Sequence, residues 1–388
     1  MYIERQADKL LQEHLSDKKI SMVLGARQVG KTTLLKHALG NVNCCFLNFD
    51  VEIDRQRFLA AASLPPQEAL KTFGSPDVLV VDEAQRYPKT AEIVKGWFDS
   101  ELDVKIFLLG SSSFSLLHQS VESLAGRNRK LLLPPLLFSE VLATQDWVEA
   151  VTDVEGLHQY FAEALKALVL QSITFGGYPE VVTASNKLPL LQGLAGDYLW
   201  QDVLQMGQIK TPETIRRLLT LLAHQVGSEV SVNELATQLG VTRPTIERYL
   251  DILEHSFVIF RLSAFSTNPR KEVCKSRKIY FWDTGIRNAL LNEFSTSELR
   301  SDIGNLWENW LVSEIAKKNI LDGSPKQLYF WRSRSGSEVD IVLKNPEGVL
   351  SAYEVKWRKK GRRVKAFSDR YDCPVLPIHS DNFLKILL

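Results

Sequence analysis

Residues Gly25-Ala26-Arg27-Gln28-Val29-Gly30-Lys31-Thr32 constrain this chain more than any other stretch. Ile20, Met22, Val23 and Leu24 before them read as a buried strand, and Thr33 to Leu39 after them as a helix. In that setting successive backbone N–H groups and the positive end of the helix face one small volume and favour an anion there. Gly25 through Thr33 would form the cradle, with Lys31 on the outer phosphates and the Thr32 hydroxyl on Mg²⁺. Outside such flanks the same letters would be a chance match on a surface turn.

A partner motif follows. Val78-Leu79-Val80-Val81-Asp82-Glu83 is an apolar run ending in two carboxylates, as expected of a strand buried on both faces. Asp82 would order the Mg²⁺ through its water shell, and Glu83 would orient and polarise an attacking water. Taken alone, Glu83 could equally be a helix-start residue favoured by the dipole. Ile106 to Leu109 form a further strand ending at Gly110-Ser111-Ser112, where Ser111 offers a hydroxyl to the water or γ-phosphate, or simply caps a turn. Together these residues predict an ATP- or GTP-hydrolysing core.

The chain of 388 residues is long enough for two to four domains, and its net charge of +1 makes it no polycation. No apolar stretch is long enough for a membrane helix, since Leu131 to Phe138 is broken by Pro134 and Pro135. The N-terminal residues carry no apolar signal region, and Cys44, Cys45, Cys274 and Cys373 show no metal or redox spacing, so a cytoplasmic setting is expected. Basic residues crowd two segments: Arg270, Lys271, Lys275, Arg277 and Lys278, then Lys356, Arg358, Lys359, Lys360, Arg362, Arg363 and Lys365. Each reads either as solvated surface or as nucleic-acid contact.

Residues 1–150 are expected to form an α/β nucleotide domain with strands near Ile20–Leu24, Cys44–Asn48, Val78–Asp82, Ile106–Leu109 and Lys130–Leu133 in a mainly parallel sheet. Residues 151–211 read as helical, interrupted by a tight turn at Phe175-Gly176-Gly177-Tyr178-Pro179. Within 212–299, Val232, Leu235, Ala236 and Leu239 share one helical stripe, and Ile246, Tyr249, Leu250 and Leu253 another. Gly240 stops the first helix, Thr242 caps the second, and Pro244 sits harmlessly in its first turn. With Phe257 to Phe260 as a following strand, this is the grammar of a winged helix-turn-helix. Arg243, Thr245, Glu247 and Arg248 would face outward where recognition helices touch bases, although such modules also serve for packing or protein contact.

Residues 300–388 shift to alternating strands. A turn at Pro346-Glu347-Gly348 would close a hairpin between Asn345 and Val349, setting Asp340 opposite Glu354 with Lys356 on the same face. Asp340 and Glu354 could hold Mg²⁺, with Glu308 completing the shell and Lys356 neutralising charge during attack on a phosphate; a surface ion-pair network would place the same residues together. Trp307, Trp310, Trp331 and Trp357 are expected in the core.

These residues together resemble a family of bacterial and archaeal ATPases that pair an AAA-type P-loop core with a C-terminal half resembling the PD-(D/E)xK, restriction-endonuclease-like fold. The matching stretches are Gly25–Thr32, Val81-Asp82-Glu83-Ala84-Gln85, Leu124-Ala125-Gly126-Arg127, Gly176-Gly177-Tyr178-Pro179-Glu180, Ile279-Tyr280-Phe281-Trp282-Asp283-Thr284-Gly285, Glu338-Val339-Asp340 and Glu354-Val355-Lys356. The resemblance implies a sheet with an extra strand beside the P-loop strand, and ATP as nucleotide, consistent with the lack of an Asn-Lys-x-Asp guanine reader. It also raises Arg127 as a phosphate contact within a homo-oligomer, against a simple surface arginine. This chain has Gln201-Asp202 where relatives carry Arg-Asp, and lacks the proline before Asp340. Three functions follow as expectations: an Mg-dependent ATPase acting on or near DNA, a metal-dependent nuclease gated by ATP, or a nucleotide-switched protein scaffold.

Overall fold

The structure is a computed structural model that describes residues 2–111, 124–151, 153–198, 203, 211–266, 277–323, 325–333, 335–358 and 364–388. Gln201, Asp202, Ser112, Cys274 and the basic residues Arg270, Lys271, Lys275, Lys359, Lys360, Arg362 and Arg363 lie outside the described residues. The chain divides into two compact units. One comprises Glu4–Pro134 with His255–Phe257, and the other Met1–Ile3, Pro135–Glu254 and Val258–Leu388. The division after Pro134 comes earlier than the boundary near 150 expected from sequence, because Phe138 and Leu142 bury their side chains in the core of the second unit.

The first unit is a parallel sheet of β1 (Ile20–Leu24), β2 (Cys44–Asn48), β3 (Val78–Asp82), β4 (Lys105–Gly110) and β5 (Asn128–Leu132), in the order β2-β3-β4-β1-β5. All five residues of β1 are buried, as are the first four of β3, the pattern of strands covered on both faces. β4 lies between the P-loop strand β1 and the acidic strand β3, pairing in parallel with both. This insertion places the ends of β1, β3 and β4 side by side, so Gly25, Asp82 and Ser111 leave the sheet at one edge.

The second unit contains a seven-stranded sheet: β6 (Glu229–Val230), β7 (Ile259–Ala264), β8 (Arg277–Phe281), β9 (Gln327–Arg332), β10 (Glu338–Lys344), β11 (Leu350–Val355) and β12 (Val375–Ile378), ordered β12-β11-β10-β9-β7-β8-β6. The helices Val232–Leu239 and Arg243–His255 bury Leu235, Ala236, Leu239, Ile246, Tyr249, Leu250 and Leu253, the two expected stripes. Gly240 ends the first at φ +65, and Thr242 Oγ1 accepts from Thr245 N at 3.4 Å at the start of the second. The strand expected from Phe257 begins at Ile259, because Phe257 adopts a left-handed φ of +58 and turns the chain.

The expected division at 299/300 does not separate two sheets. β7 pairs in parallel with β9 through Ser263–Tyr329 and Ala264–Phe330, so β6, β8 and β7 continue directly into β9 to β12. The helix Ile303–Leu321 covers this sheet and buries Leu306, Trp307, Trp310 and Leu311. Trp307 stacks on Trp310 and meets Trp357 edge-on, and Trp331 packs against Phe367, so the four tryptophans are core residues. Each large apolar side chain removed from water in this way contributes roughly 1.5–3 kcal/mol.

Candidate functional site

The loop after β1 is shaped by close approach. A Cβ on Gly25 would lie 2.2 Å from the Leu133 carbonyl oxygen, so only glycine lets β1 pass the end of β5 there. Gly30 at φ +96 and Gln28 at φ +60 then turn the chain into the helix Lys31–Leu39, whose start carries no side-chain cap. Its first N–H groups therefore face the loop's interior, the arrangement that receives phosphate. Arg5, 7% exposed, braces the loop by donating to the carbonyls of Val29 at 3.0 Å and Pro134 at 2.8 Å. No motif marks Arg5 in the sequence, since it stands in an unpatterned N-terminal segment.

Buried Lys31 spans the loop, its Nζ donating to the carbonyls of Gly25 and Ala26, both at 2.9 Å. Thr32 Oγ1 donates to Asp82 Oδ2 at 2.5 Å, and Asp82 Oδ1 accepts from Glu83 N at 2.9 Å. Glu83 adopts φ +52, sparsely populated for a residue with a side chain and therefore imposed by its surroundings. Its carboxylate is held on three sides: Gln85 Nε2 donates to it, Ser111 Oγ donates at 3.3 Å, and Arg27 Nη2 lies 3.9 Å away. Gln85 also donates to Ser111 Oγ at 3.0 Å. Thr33 lies exposed on the helix, while Ala26 and Val29 are buried under the loop. A magnesium nucleotide fits this donor set. The loop amides and Lys31 would hold its phosphates, and Thr32 and Asp82 its metal, leaving Glu83 beside Ser111.

Arg127 donates to Asp99 at 2.6 Å in an exposed ion pair on the same chain.

The second carboxylate cluster lies in the other unit. The hairpin β10–β11 has the expected register, with Ile341 opposite Tyr353, Asn345 N donating to Val349 O, and Gly348 at φ +87. Val355 N donates to Asp340 Oδ2 at 2.8 Å, and Lys356 Nζ lies 3.4 Å from Glu354 and 3.8 Å from Asp340. The structure thus brings Asp340, Glu354, Lys356 and Glu308 to one region, but with an addition. Lys278 of β8 is buried at its centre rather than belonging to a solvated basic run. Its Nζ lies 3.0 Å from Glu308 Oε1, pairs with Glu338, and is 3.8 Å from Asp340 Oδ1. Tyr280, two residues along β8, donates to Glu308 at 2.8 Å.

Burial disfavours the Lys278 charge, yet Glu308, Asp340 and Glu338 hold its affinity for a proton above the usual lysine range. Burial, then the neighbouring Asp340 carboxylate, pushes Glu308 up to about 7. Among the described residues no group of three or more His, Cys, Asp or Glu side chains is arranged to hold a metal ion. Asp340 and Glu308, two of the three residues expected from sequence as a metal shell, both lie within 4 Å of a buried ammonium, that of Lys278. Lys278 escaped the sequence reading since it follows Arg277 in a basic run. The only signal was its period-two spacing with Tyr280, which puts both on one face.

Arg243 and Arg248 are exposed on the helix after Gly240, with Arg243 3.7 Å from Glu247. Thr245 is half-buried and shares a 2.9 Å hydroxyl contact with Thr242, so it serves the helix start. The Gly176-Gly177 turn and the Asp283 segment pack on each other. Gly176 at φ +75 leaves no room for a Cβ beside the Asp283 carboxylate, which accepts from Gly177 N at 2.7 Å and Ile286 N at 3.1 Å. Among the described residues no helix is long and apolar enough to cross a membrane.

Comparison with known proteins agrees with this geometry. Residues 17–142 match the family model described as an AAA domain; residues 166–297 and 303–379 match two models described as domains of unknown function, DUF8612 and DUF4143. The chain is 29% identical over 350 residues to the uncharacterized protein Rv2008c of Mycobacterium tuberculosis, covering 88% of this chain and 72% of that protein. It is 26% identical over 394 residues to the uncharacterized protein MJ1544 of Methanocaldococcus jannaschii, covering 95% and 84%. Among solved structures, the Walker-type ATPase PABY2304 of Pyrococcus abyssi aligns with a TM-score of 0.50 at 16% identity, over 75% of this chain and 96% of that one. The first unit has the fold of an AAA-type P-loop ATPase.

Proposed function

We propose that this chain is an Mg-dependent ATPase whose second unit docks on DNA through the helix Arg243–His255. The observation that carries the ATPase reading is the 2.5 Å contact between Thr32 and Asp82 beside buried Lys31, which joins the anion cradle to the acidic strand. When bound, MgATP supplies the phosphoanhydride bond that is broken. Lys31 would exchange the Gly25 and Ala26 carbonyls for phosphate oxygens, and Thr32 and Asp82 would hold the metal. Glu83 would take a proton from the water whose oxygen bonds to the γ-phosphorus as ADP leaves with the electrons of the broken bond. Ser111 and Gln85 keep the Glu83 carboxylate aimed, and Arg27 balances its charge.

The DNA reading rests on the order of elements around the two helices. Helix Pro212–His224, strand β6, the two helices, and the antiparallel pair β7–β8 follow one another as in a winged helix. Exposed Arg243 and Arg248 stand at the start of its second helix, where base or phosphate contacts are made. The scaffold reading uses the same face for protein. A metal-dependent nuclease is not favoured, given Lys278 among the C-terminal carboxylates.

The test is the ATP turnover rate of the purified chain with Mg²⁺, measured alone and with single- or double-stranded DNA. Turnover stimulated by DNA, with salt-dependent binding, supports the whole reading. Turnover indifferent to DNA leaves the scaffold, and absence of adenine-nucleotide binding overturns the ATPase itself.

A further inference from the structure

We infer that the Lys278 ammonium is the resident cation of the C-terminal carboxylate cluster, standing where a divalent metal would be expected, so that the site ties elements together instead of binding metal. The inference is separate from the ATPase reading and concerns only the second unit. Four carboxylates, Glu308, Glu338, Asp340 and Glu354, come from the helix Ile303–Leu321, β10 and β11. By residue type alone such a collection is what Mg²⁺ or Mn²⁺ takes, a few carboxylates plus water, although here no three of them are arranged to hold a metal ion.

Lys278 changes that. Its side chain is 3% exposed, is within 4 Å of three of the four carboxylates, and lies 5.6 Å from the centre of the Phe330 ring. A dication entering the same space would face an ammonium at contact distance. The Lys278 backbone is held in β8 between β6 and β7, so its side chain leaves the sheet from a fixed point. Lys356, 44% exposed, covers the opposite side of Asp340 and Glu354. The backbone passes close to the cluster at Gly227, where an added Cβ would meet Glu308 Oε1 at 3.3 Å. What the cluster achieves is mechanical: one ammonium joins β8 to the helix Ile303–Leu321 and to β10, elements brought together from distant parts of the chain.

The test is Mn²⁺ binding to the full chain without nucleotide, followed by the paramagnetic signal of the free ion, in wild type and in Asp340→Asn. Any ion held weakly at Thr32 and Asp82 is common to both proteins and cancels. Indistinguishable titrations into the millimolar range are expected. Wild-type binding that Asp340→Asn abolishes would overturn the inference, because the cation's place would then be open. Lys278→Met provides the second arm: when folded, it should gain Mn²⁺ binding that Lys278→Met/Asp340→Asn lacks. A folded Lys278→Met with no such gain would equally overturn it. Where Lys278→Met does not fold, the first pair decides.

Discussion

Lys31 and Lys278 are both buried lysines beside carboxylates at strand ends, yet they are held in opposite ways. Lys31 rests on two backbone carbonyls, neutral acceptors that a phosphate can outcompete. Lys278 rests on charged carboxylates, acceptors that an incoming anion does not outcompete. The same residue types therefore make a receptive site in one unit and a closed one in the other. The partner of the lysine decides, not the presence of lysine and acid together.

The largest expected effect tests the receptive site. Lys31→Ala should weaken ATP binding by about 100-fold or more, roughly 2.7 kcal/mol, measured by calorimetry. Glu83→Gln should leave affinity within about twofold and lower turnover by about 10²–10⁴-fold. Unchanged turnover in Glu83→Gln would remove that residue from its role and blur the contrast between the two sites.

The pH response sharpens the comparison, because the two units should respond with opposite sign. Burial, helped by Arg129 and Lys105, lowers His14 to about 4. The unfolded chain protonates this histidine near 6.5, so the first unit loses stability as pH falls from about 6.5 to 4. Glu308, at about 7 when folded against 4.5 when unfolded, makes the second unit lose stability as pH rises through that interval. Each effect should be on the order of 1–3 kcal/mol in urea unfolding. His14→Gln should flatten the acid limb and Glu308→Gln the neutral limb; a Glu308→Gln profile identical to wild type would refute the second assignment.

Tyr280→Phe removes the donor to Glu308 while keeping the ring. It should cost about 1–3 kcal/mol of stability by the same measurement and leave ATP affinity untouched. A loss of ATP affinity instead would mean that the closed cluster is not merely architectural. The smallest expected effect concerns the exposed helix: Arg243→Ala with Arg248→Ala should lower the salt slope of DNA binding by about two. An unchanged slope would direct the proposed docking to another face.

What could be read from the letters alone depended on how local the physics is. The P-loop and its flanks were legible because Gly25 to Thr32 carry their own geometry, and β1, β2 and β3 run over the expected residues. The β10–β11 register was legible because Gly348 and the short turn set it. The place of Lys278 in that cluster was not, since β8 reaches β10 and the helix Ile303–Leu321 only through packing of segments distant in the chain. The β7–β9 pairing was hidden for a related reason: Ser263 and Ala264 show a strand pattern that gives no sign of its neighbour. The hold on Glu83 by Ser111 and Arg27 likewise depends on β4 lying between β1 and β3.

That β7–β9 seam has a practical consequence for anyone dissecting the chain. Cutting after residue 299 would not free two modules but tear one sheet, baring hydrogen-bonding edges at Ser263 and Phe330 that invite aggregation. A load applied to the Arg243 helix would likewise pass to the Gly348 hairpin through a stiff plate of strands, with no tether in between to absorb it.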